Sequence, residues 1–253
     1  MRLAYFSPLN PQPSGIADYS EELLPHLARG AEIDLFVDGF EPSSREVRAR
    51  FRVVDYRRDP EALARLDEYD AALYHMGNDH RYHTGIYQAA VRHPGVVVFH
   101  DFALLDFFRG MAAERGDPGL YLDEVEAEHG PRERELAEAA LLRGGLPAHS
   151  SRPLSFPLNT RLARSAEGVI THSRRAAERF RVAAPGVPVA QVNHHITPRA
   201  ASQEPRRRSD DEGGPVRLAS FGLITADKGL ERVLAALAAL RGEVDFHYTL
   251  VGA

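Results

Sequence analysis

The run Val96-Val97-Val98-Phe99 constrains the fold more than any other stretch of the chain. Three β-branched residues and an aromatic, with nothing polar between them, describe a strand buried on both faces, as central strands of parallel sheets are. The run stops on two ionisable side chains, His100 and Asp101, and Leu104, Leu105 and Phe108 then follow at helical spacing. His100 and Asp101 therefore stand where a buried strand hands over to a helix. Open α/β sheets bind ligands outside the carboxyl ends of their strands, which makes this position a candidate site. The plainer alternative has Asp101 capping the helix and His100 in a structural hydrogen bond.

Strand and helix signals alternate along most of the chain. Strands are predicted at 2–6, 32–37, 51–55, 71–76, 96–99, 167–171 and 187–192. Helices are predicted through Ile16, Tyr19, Leu23, Leu24 and Leu27, from 60 to 66, through Ile86, Ala89, Ala90 and Val91, and from 174 to 180. The stretch 102–143 is mostly helical, broken near Gly116-Asp117-Pro118 and Gly130-Pro131, and 144–157 is a Ser/Pro-rich loop. Such alternation implies parallel crossovers and an α/β, Rossmann-like, doubly wound sheet over residues 1–197. Residues 198–215 turn polar, charged and aperiodic, which marks an interdomain linker. A strand at 216–221, a loop at 222–229, a helix through Leu230, Val233, Leu234, Leu237 and Leu240, and a strand at 246–251 then open a second domain. Two strands and one helix bury too little to stand alone, so the sequence is expected to cut this second domain short at 253.

Composition excludes several classes of function. The net charge of −5 argues against nucleic acid as a partner, and the basic triplet Arg206-Arg207-Arg208 is followed at once by Asp210, Asp211 and Glu212, as in a solvated linker. There is no cysteine, so disulfides, thiolate nucleophiles and thiolate metal sites are ruled out. No apolar run approaches membrane-spanning length and the amino terminus lacks a signal peptide pattern, so a cytoplasmic protein is expected, with peripheral contact to a membrane surface left open. The oligomeric state is not legible.

Two constellations carry chemistry. Four predicted strands finish in histidine, at Tyr74-His75, Phe99-His100, Thr171-His172 and Asn193-His194, and in a parallel sheet all four project from one rim. Such imidazoles suit recognition of hydroxyls and phosphates. The alternative is a metal centre built from His75, His80, His83, His100 and Asp101, as in a metal-dependent hydrolase. It is disfavoured because His80 and His83 fall in a loop and no paired-histidine helix motif is present. The second constellation is a pair of glycine-bearing loops, Ser14-Gly15 after the first strand and Gly222 to Gly229, with Lys228, after the first strand of the second domain. Each places backbone donors at a helix start, and Lys228 adds a cation suited to diphosphate. The spaced glycine triplet of dinucleotide folds is absent.

In their order and spacing these residues resemble the retaining glycosyltransferases of family 4, which have the GT-B architecture of two Rossmann-like domains. The resemblance rests on Ser14-Gly15-Ile16-Ala17-Asp18-Tyr19, on 96–101, on Val169-Ile170-Thr171-His172-Ser173, on 221–229, and on Tyr248-Thr249-Leu250-Val251-Gly252. It implies transfer of a sugar, with retention, from a nucleotide-diphosphate-sugar to a hydroxyl-bearing acceptor, with no metal and no cofactor beyond that co-substrate. His100 and Asp101 become the catalytic candidates, with His100 contacting the donor sugar. Ser14, Gly15, Gly222, Lys228 and Gly229 become the phosphate-binding candidates. Asp18, Tyr19, His75, Asn78, His172 and Ser173 are the candidates for acceptor or sugar. Two departures stand out: Leu223 occupies the place of the family's usual arginine, and the paired glutamates that hold the nucleotide-sugar would lie beyond residue 253. The 253 residues alone are therefore expected to be inactive, and a non-catalytic sugar- or nucleotide-binding module is the alternative of a different class.

Overall fold

The computed structural model describes residues 1–195, 214–222, 224 and 228–252. Residues 198–213 of the expected linker, with its basic triplet, and Leu223, Thr225, Ala226 and Asp227 of the glycine-bearing loop lie outside the described residues. The chain divides into two compact units, Met1–Thr197 and Pro198–Ala253.

The first unit is a seven-stranded sheet in which every neighbouring pair is parallel. Its strands are β1 (Arg2–Phe6), β2 (Glu32–Val37), β3 (Arg52–Asp55), β4 (Ala71–Met76), β5 (Val96–Phe99), β6 (Gly168–Thr171) and β7 (Val189–Gln191). The order is β3-β2-β1-β4-β5-β6-β7. The chain thus winds outward from β1 to one edge, returns beside β1 as β4, and winds outward to the other edge. The switch point falls between β1 and β4, and open α/β sheets bind ligands outside the carboxyl ends of the strands at such a point.

Helices cover both faces. On one, Leu3, Tyr5, Ile33, Leu35 and Val37 pack against Leu24 of α1 (Gly15–Leu27) and Val47 of α2 (Arg45–Arg50). On the other, Ala4, Phe6, Phe36, Tyr74, Met76, Val97, Phe99 and Val169 pack in one core with several helices. These include α3 (Glu61–Ala64), α4 (His80–Arg92), α5 (Leu105–Arg115), α6 (Gly119–His129), α7 (Pro131–Leu142), α8 (Thr160–Ser165) and α9 (Arg174–Ala183). The result is a Rossmann-like, doubly wound α/β fold. Phe6, Phe99 and Phe180 are wholly buried, and each such side chain contributes about 1.5–3 kcal/mol by leaving water.

Where the structure departs from the sequence reading, local chemistry gives the reason. Asp79 accepts a hydrogen bond from the Arg81 N–H and caps α4, so His80 and His83 lie in the first turn of a helix rather than in a loop. Asp101 does not cap α5, whose N-cap is Leu104 with no side-chain cap bond. His75 is the penultimate residue of β4, and His194 lies three residues past the end of β7, so neither ends its strand. The helix at 60–66 is a single turn, α3, followed by a 3-10 turn at Leu66–Glu68. Helices α2 and α8 carry no expectation from sequence.

The second unit has β8 (Val216–Phe221), α10 (Leu230–Ala239) and β9 (Phe246–Val251), with β8 and β9 parallel from Val216↔Phe246 to Phe221↔Val251. Val216, Leu218, Phe221, Leu234 and Leu250 are exposed. No helix among the described residues is long and apolar enough to cross a membrane.

Candidate functional site

Strand parity puts the histidines together. In a parallel sheet, residues in register face the same side, and His75, Val98, Ile170 and Ala190 form one such row across β4, β5, β6 and β7. Two residues further along, the same face carries His100 and His172 just past the strand ends. Tyr5, on this face of β1, packs against His75 with ring centroids 4.6 Å apart and the rings tilted by 39°.

Tyr19, from the second turn of α1, is buried at the centre of the group. Its ring centroid lies 4.5 Å from His195, 4.7 Å from His100 and from His194, 5.4 Å from His172 and 5.9 Å from His75. Behind it, Tyr5 donates to Ser20 Oγ at 3.0 Å, and the Ser7 and Ser20 hydroxyls share a bond of 2.7 Å. The phenolic oxygen of Tyr5 is thereby satisfied in the interior.

The imidazoles are held in defined ways. His75 Nδ1 and His100 Nε2 are 2.9 Å apart. His172 donates from Nδ1 to the Val192 carbonyl at 2.8 Å, and His83 donates from Nδ1 to the Asp79 carbonyl at 2.8 Å. His195 Nε2 meets Glu22 Oε2 at 3.3 Å. Burial holds the His75 pKa down to about 3, helped by His172 and His83. Burial, with His75 and His172 next, holds His100 down to about 2. Burial also lowers His172, against the opposing effect of its bond to Val192. At neutral pH His75, His100 and His172 are therefore uncharged, and they can serve as hydrogen-bond donors or acceptors but not as cations.

The amino terminus of α1 borders this group. The Ile16 N–H donates to Ser14 Oγ at 3.2 Å, and a Cβ added at Gly15 would meet nothing within 4 Å. Gly15 shares a helix face with Tyr19 four residues on, so its open side lies one turn above the histidines. Asp18 is exposed and accepts from Asn10 Nδ2 at 3.2 Å, holding the proline-rich loop to α1.

The loop after β4 is tied across to the β5–α5 connection. The Asn78 N–H donates to the Asp101 carboxylate at 2.9 Å, Asn78 Nδ2 donates to Asp106 at 3.2 Å, and the Phe107 N–H donates to Asn78 Oδ1 at 3.0 Å. Asn78 therefore caps α5 from a distance and has both side-chain atoms engaged, while Asp101 is an exposed carboxylate oriented by one backbone amide. Ser173 caps α9 through its bond from the Ala176 N–H at 3.1 Å, and the exposed Arg174 and Arg175 follow it.

Gly77, within that loop, was not singled out from sequence. A Cβ there would lie 2.6 Å from Ile16 Cδ1 and 3.0 Å from His83 Cε1. Gly77→Ala is therefore expected to destabilise the protein by about 1–3 kcal/mol through overpacking at the switch point. Urea melts of the variant beside the parent measure it, and equal midpoints would mean that the loop yields freely. His195 and Glu22 also escaped the sequence-based site, and His83 entered it only as a ligand of the disfavoured metal centre. The adjacency of His195 to His194 was the one available signal.

In the second unit, Gly222 at φ 114° and Gly229 at φ 64° occupy left-handed backbone that side chains resist. Gly229 is the N-cap of α10. Gly222, the exposed Lys228, Ser220, Phe221, Ile224, Leu230, Leu250 and Val251 line a cavity of about 170 Å³.

Among the described residues, no group of three or more His, Asp or Glu is arranged to hold a metal ion. The carbonyl bonds of His83 and His172, and the contact between His75 and His100, turn ring nitrogens toward one another or the backbone rather than toward a common centre.

No family model matches the chain, and no curated protein matches it. Solved structures similar in fold include a crystal structure described as the glycotransferase of kitacinnamycin, at 16% identity and TM-score 0.46, covering 98% of this chain and 65% of that one. Another is MurG of Acinetobacter baumannii, at 11% identity and TM-score 0.42, covering 99% of this chain and 57% of that one. A third is an alpha-glucosyltransferase in complex with UDP and a mismatched DNA, at 12% identity and TM-score 0.40, covering 100% of this chain and 66% of that one. This chain thus spans between 57% and 66% of the length of these three structures. At such identities and scores the likeness does not extend to function.

Proposed function

We propose that the chain carries the acceptor-side domain, and the opening strand–helix–strand of the donor-side domain, of a GT-B glycosyltransferase. The enzyme would move a sugar from a nucleotide-diphosphate-sugar to a hydroxyl acceptor with retention. The observation that carries this reading is the placement of neutral His100 beside Tyr19, below the open Gly15 turn, at the topological switch point of a parallel sheet. Breaking a glycosyl–phosphate bond builds negative charge on the leaving diphosphate and positive charge on the sugar. Fixed donors that cost no reorganisation stabilise such a transition state.

In this reading the N–H groups at the start of α1, with Ser14 and Gly15, face donor phosphate, and Lys228 with the Gly222 and Gly229 turns neutralises the leaving diphosphate. His100 contacts the donor sugar. Asp18, Tyr19, His172 and Ser173 border the acceptor, His75 and Asn78 act from behind the surface, and Asp101 shapes the rim. Retention fits a rim whose His100 stays uncharged and whose Asp101 carboxylate is already engaged by Asn78. The exposed apolar faces of β8, β9 and α10 support assigning turnover to a longer chain that covers them.

The test is a panel of nucleotide-sugars assayed for thermal stabilisation and for release of nucleoside diphosphate by the complete protein. If none of them binds or turns over, the reading fails. Lys228→Ala is expected to weaken nucleoside-diphosphate binding by about 1.5–3 kcal/mol, the scale of a charge-assisted hydrogen bond. Calorimetry showing unchanged affinity would remove Lys228 from the site.

A further inference from the structure

His75 plays no direct part in the proposed reaction, yet it is 1% exposed and sits behind His100. We infer that His75 is a positioning residue that fixes the tautomer of His100. It donates from Nδ1–H to His100 Nε2, so that His100 is protonated on Nδ1 and presents an N–H, and no lone pair, at the rim.

The geometry allows only two arrangements. Two uncharged rings 2.9 Å apart share one proton between Nδ1 of His75 and Nε2 of His100. If His100 were the donor, the proton of His75 would sit on its Nε2, which is buried and has no hydrogen-bond partner. That would leave an orphaned N–H in the interior, the rarest of unsatisfied groups. If His75 is the donor, its Nε2 is only a bare lone pair.

The same molecule supplies two forced precedents. His83 and His172 each bond through Nδ1 to a carbonyl oxygen, which can only accept, so each must be protonated on Nδ1. In both, the Nε2 left over is buried without a partner, as in His75. This protein thus leaves unpartnered Nε2 lone pairs in its interior, whereas an unpartnered Nε2–H is forced nowhere in the group. The rings packed against the pair, Tyr5 of β1, Tyr19 of α1, and His172 and His194 past β6 and β7, carry no carboxylate that could draw the proton elsewhere.

A chemical class of ligand follows. His100 Nδ1 makes no hydrogen bond among the described residues, and as a donor it selects an oxygen acceptor: a hydroxyl, carbonyl or phosphoryl oxygen. Its lone pair is spent on His75, so it cannot act as a general base. This consequence for catalysis rests on the proposed transferase reading, but the tautomer does not.

The test is a long-range proton–nitrogen spectrum of the complete protein labelled with nitrogen-15 at histidine, near neutral pH, with His100 assigned by its loss in His100→Gln. The expected spectrum shows His100 in a single neutral form protonated on Nδ1. In His75→Phe the Nε2 lone pair of His100 loses its donor, so the resonance of that unprotonated nitrogen should move downfield, toward the position of a free imidazole nitrogen. His75→Asn, which keeps an amide N–H near the position of the ring Nδ1, should restore the parent resonance. A parent spectrum with His100 protonated on Nε2 overturns the inference, as does a His75→Phe spectrum identical to the parent. If His75→Phe does not fold, the parent spectrum alone decides. Absence of transferase activity would sink the functional reading and leave this measurement unaffected.

Discussion

Acidification from about pH 6.5 to about pH 4.5 is expected to remove several kcal/mol of folding stability, and two buried imidazoles account for most of it. His75 and His100 are held in the folded state at about 3 and about 2, against 6.5 in the unfolded chain. Between those values the unfolded state binds protons that the folded state refuses. Stability is therefore complete above 6.5 and falls as the pH drops toward the folded values. Each pH unit costs about 1.4 kcal/mol per histidine, so two units acting on two rings cost about 5 kcal/mol. That is comparable to the whole stability of an ordinary domain. His83, His172 and His149, also lowered by burial, add in the same direction. Urea melts at several pH values should show stability changing by about two protons' worth per unit. A flat profile over this window would mean that the histidine group is solvated or opens locally. His75→Phe, which removes one of the two rings, should visibly reduce the slope.

The origin of this acid sensitivity shows what a single sequence can carry. The sheet was legible because its central strands are unbroken apolar runs, and Val96 to Phe99 could be little else. That the histidines gather along one rim followed once the strands were taken as parallel. The His75–His100 contact was not legible, because it requires β4 and β5 to be neighbours in a stated register, and nothing local to either strand fixes that. The position of His83 was lost for a different reason: Asp79 is a good helix cap, but the polar residues that follow it gave no apolar periodicity to mark the first turn. Helix α2 buries only Val47 and therefore has almost no amphipathic signal. Asn78 was taken as facing ligand, whereas its side chain is committed to the start of α5, a partner 28 residues away in sequence.

In the proposed transferase, His100→Ala is expected to lower turnover at least tenfold, about 1.4 kcal/mol or more of transition-state stabilisation, while the fold survives. The expectation follows from geometry. His100 lies past the end of β5 with one nitrogen engaged by His75 and the other turned to the rim, against Tyr19 at 4.7 Å. Removing the ring deletes the rim donor and also leaves the His75 N–H without its acceptor, a structural cost of about 1–3 kcal/mol. The two effects separate cleanly. The structural cost appears in the urea midpoint and is independent of substrate, whereas loss of a sugar-directed donor appears in kcat at saturating donor. His100→Gln, with an amide able both to accept from His75 and to donate at the rim, should recover part of the turnover. Near-native kcat in His100→Ala, with only the midpoint lowered, would reduce His100 to an interior packing group. It would also leave the histidine rim without the residue on which the proposed chemistry turns.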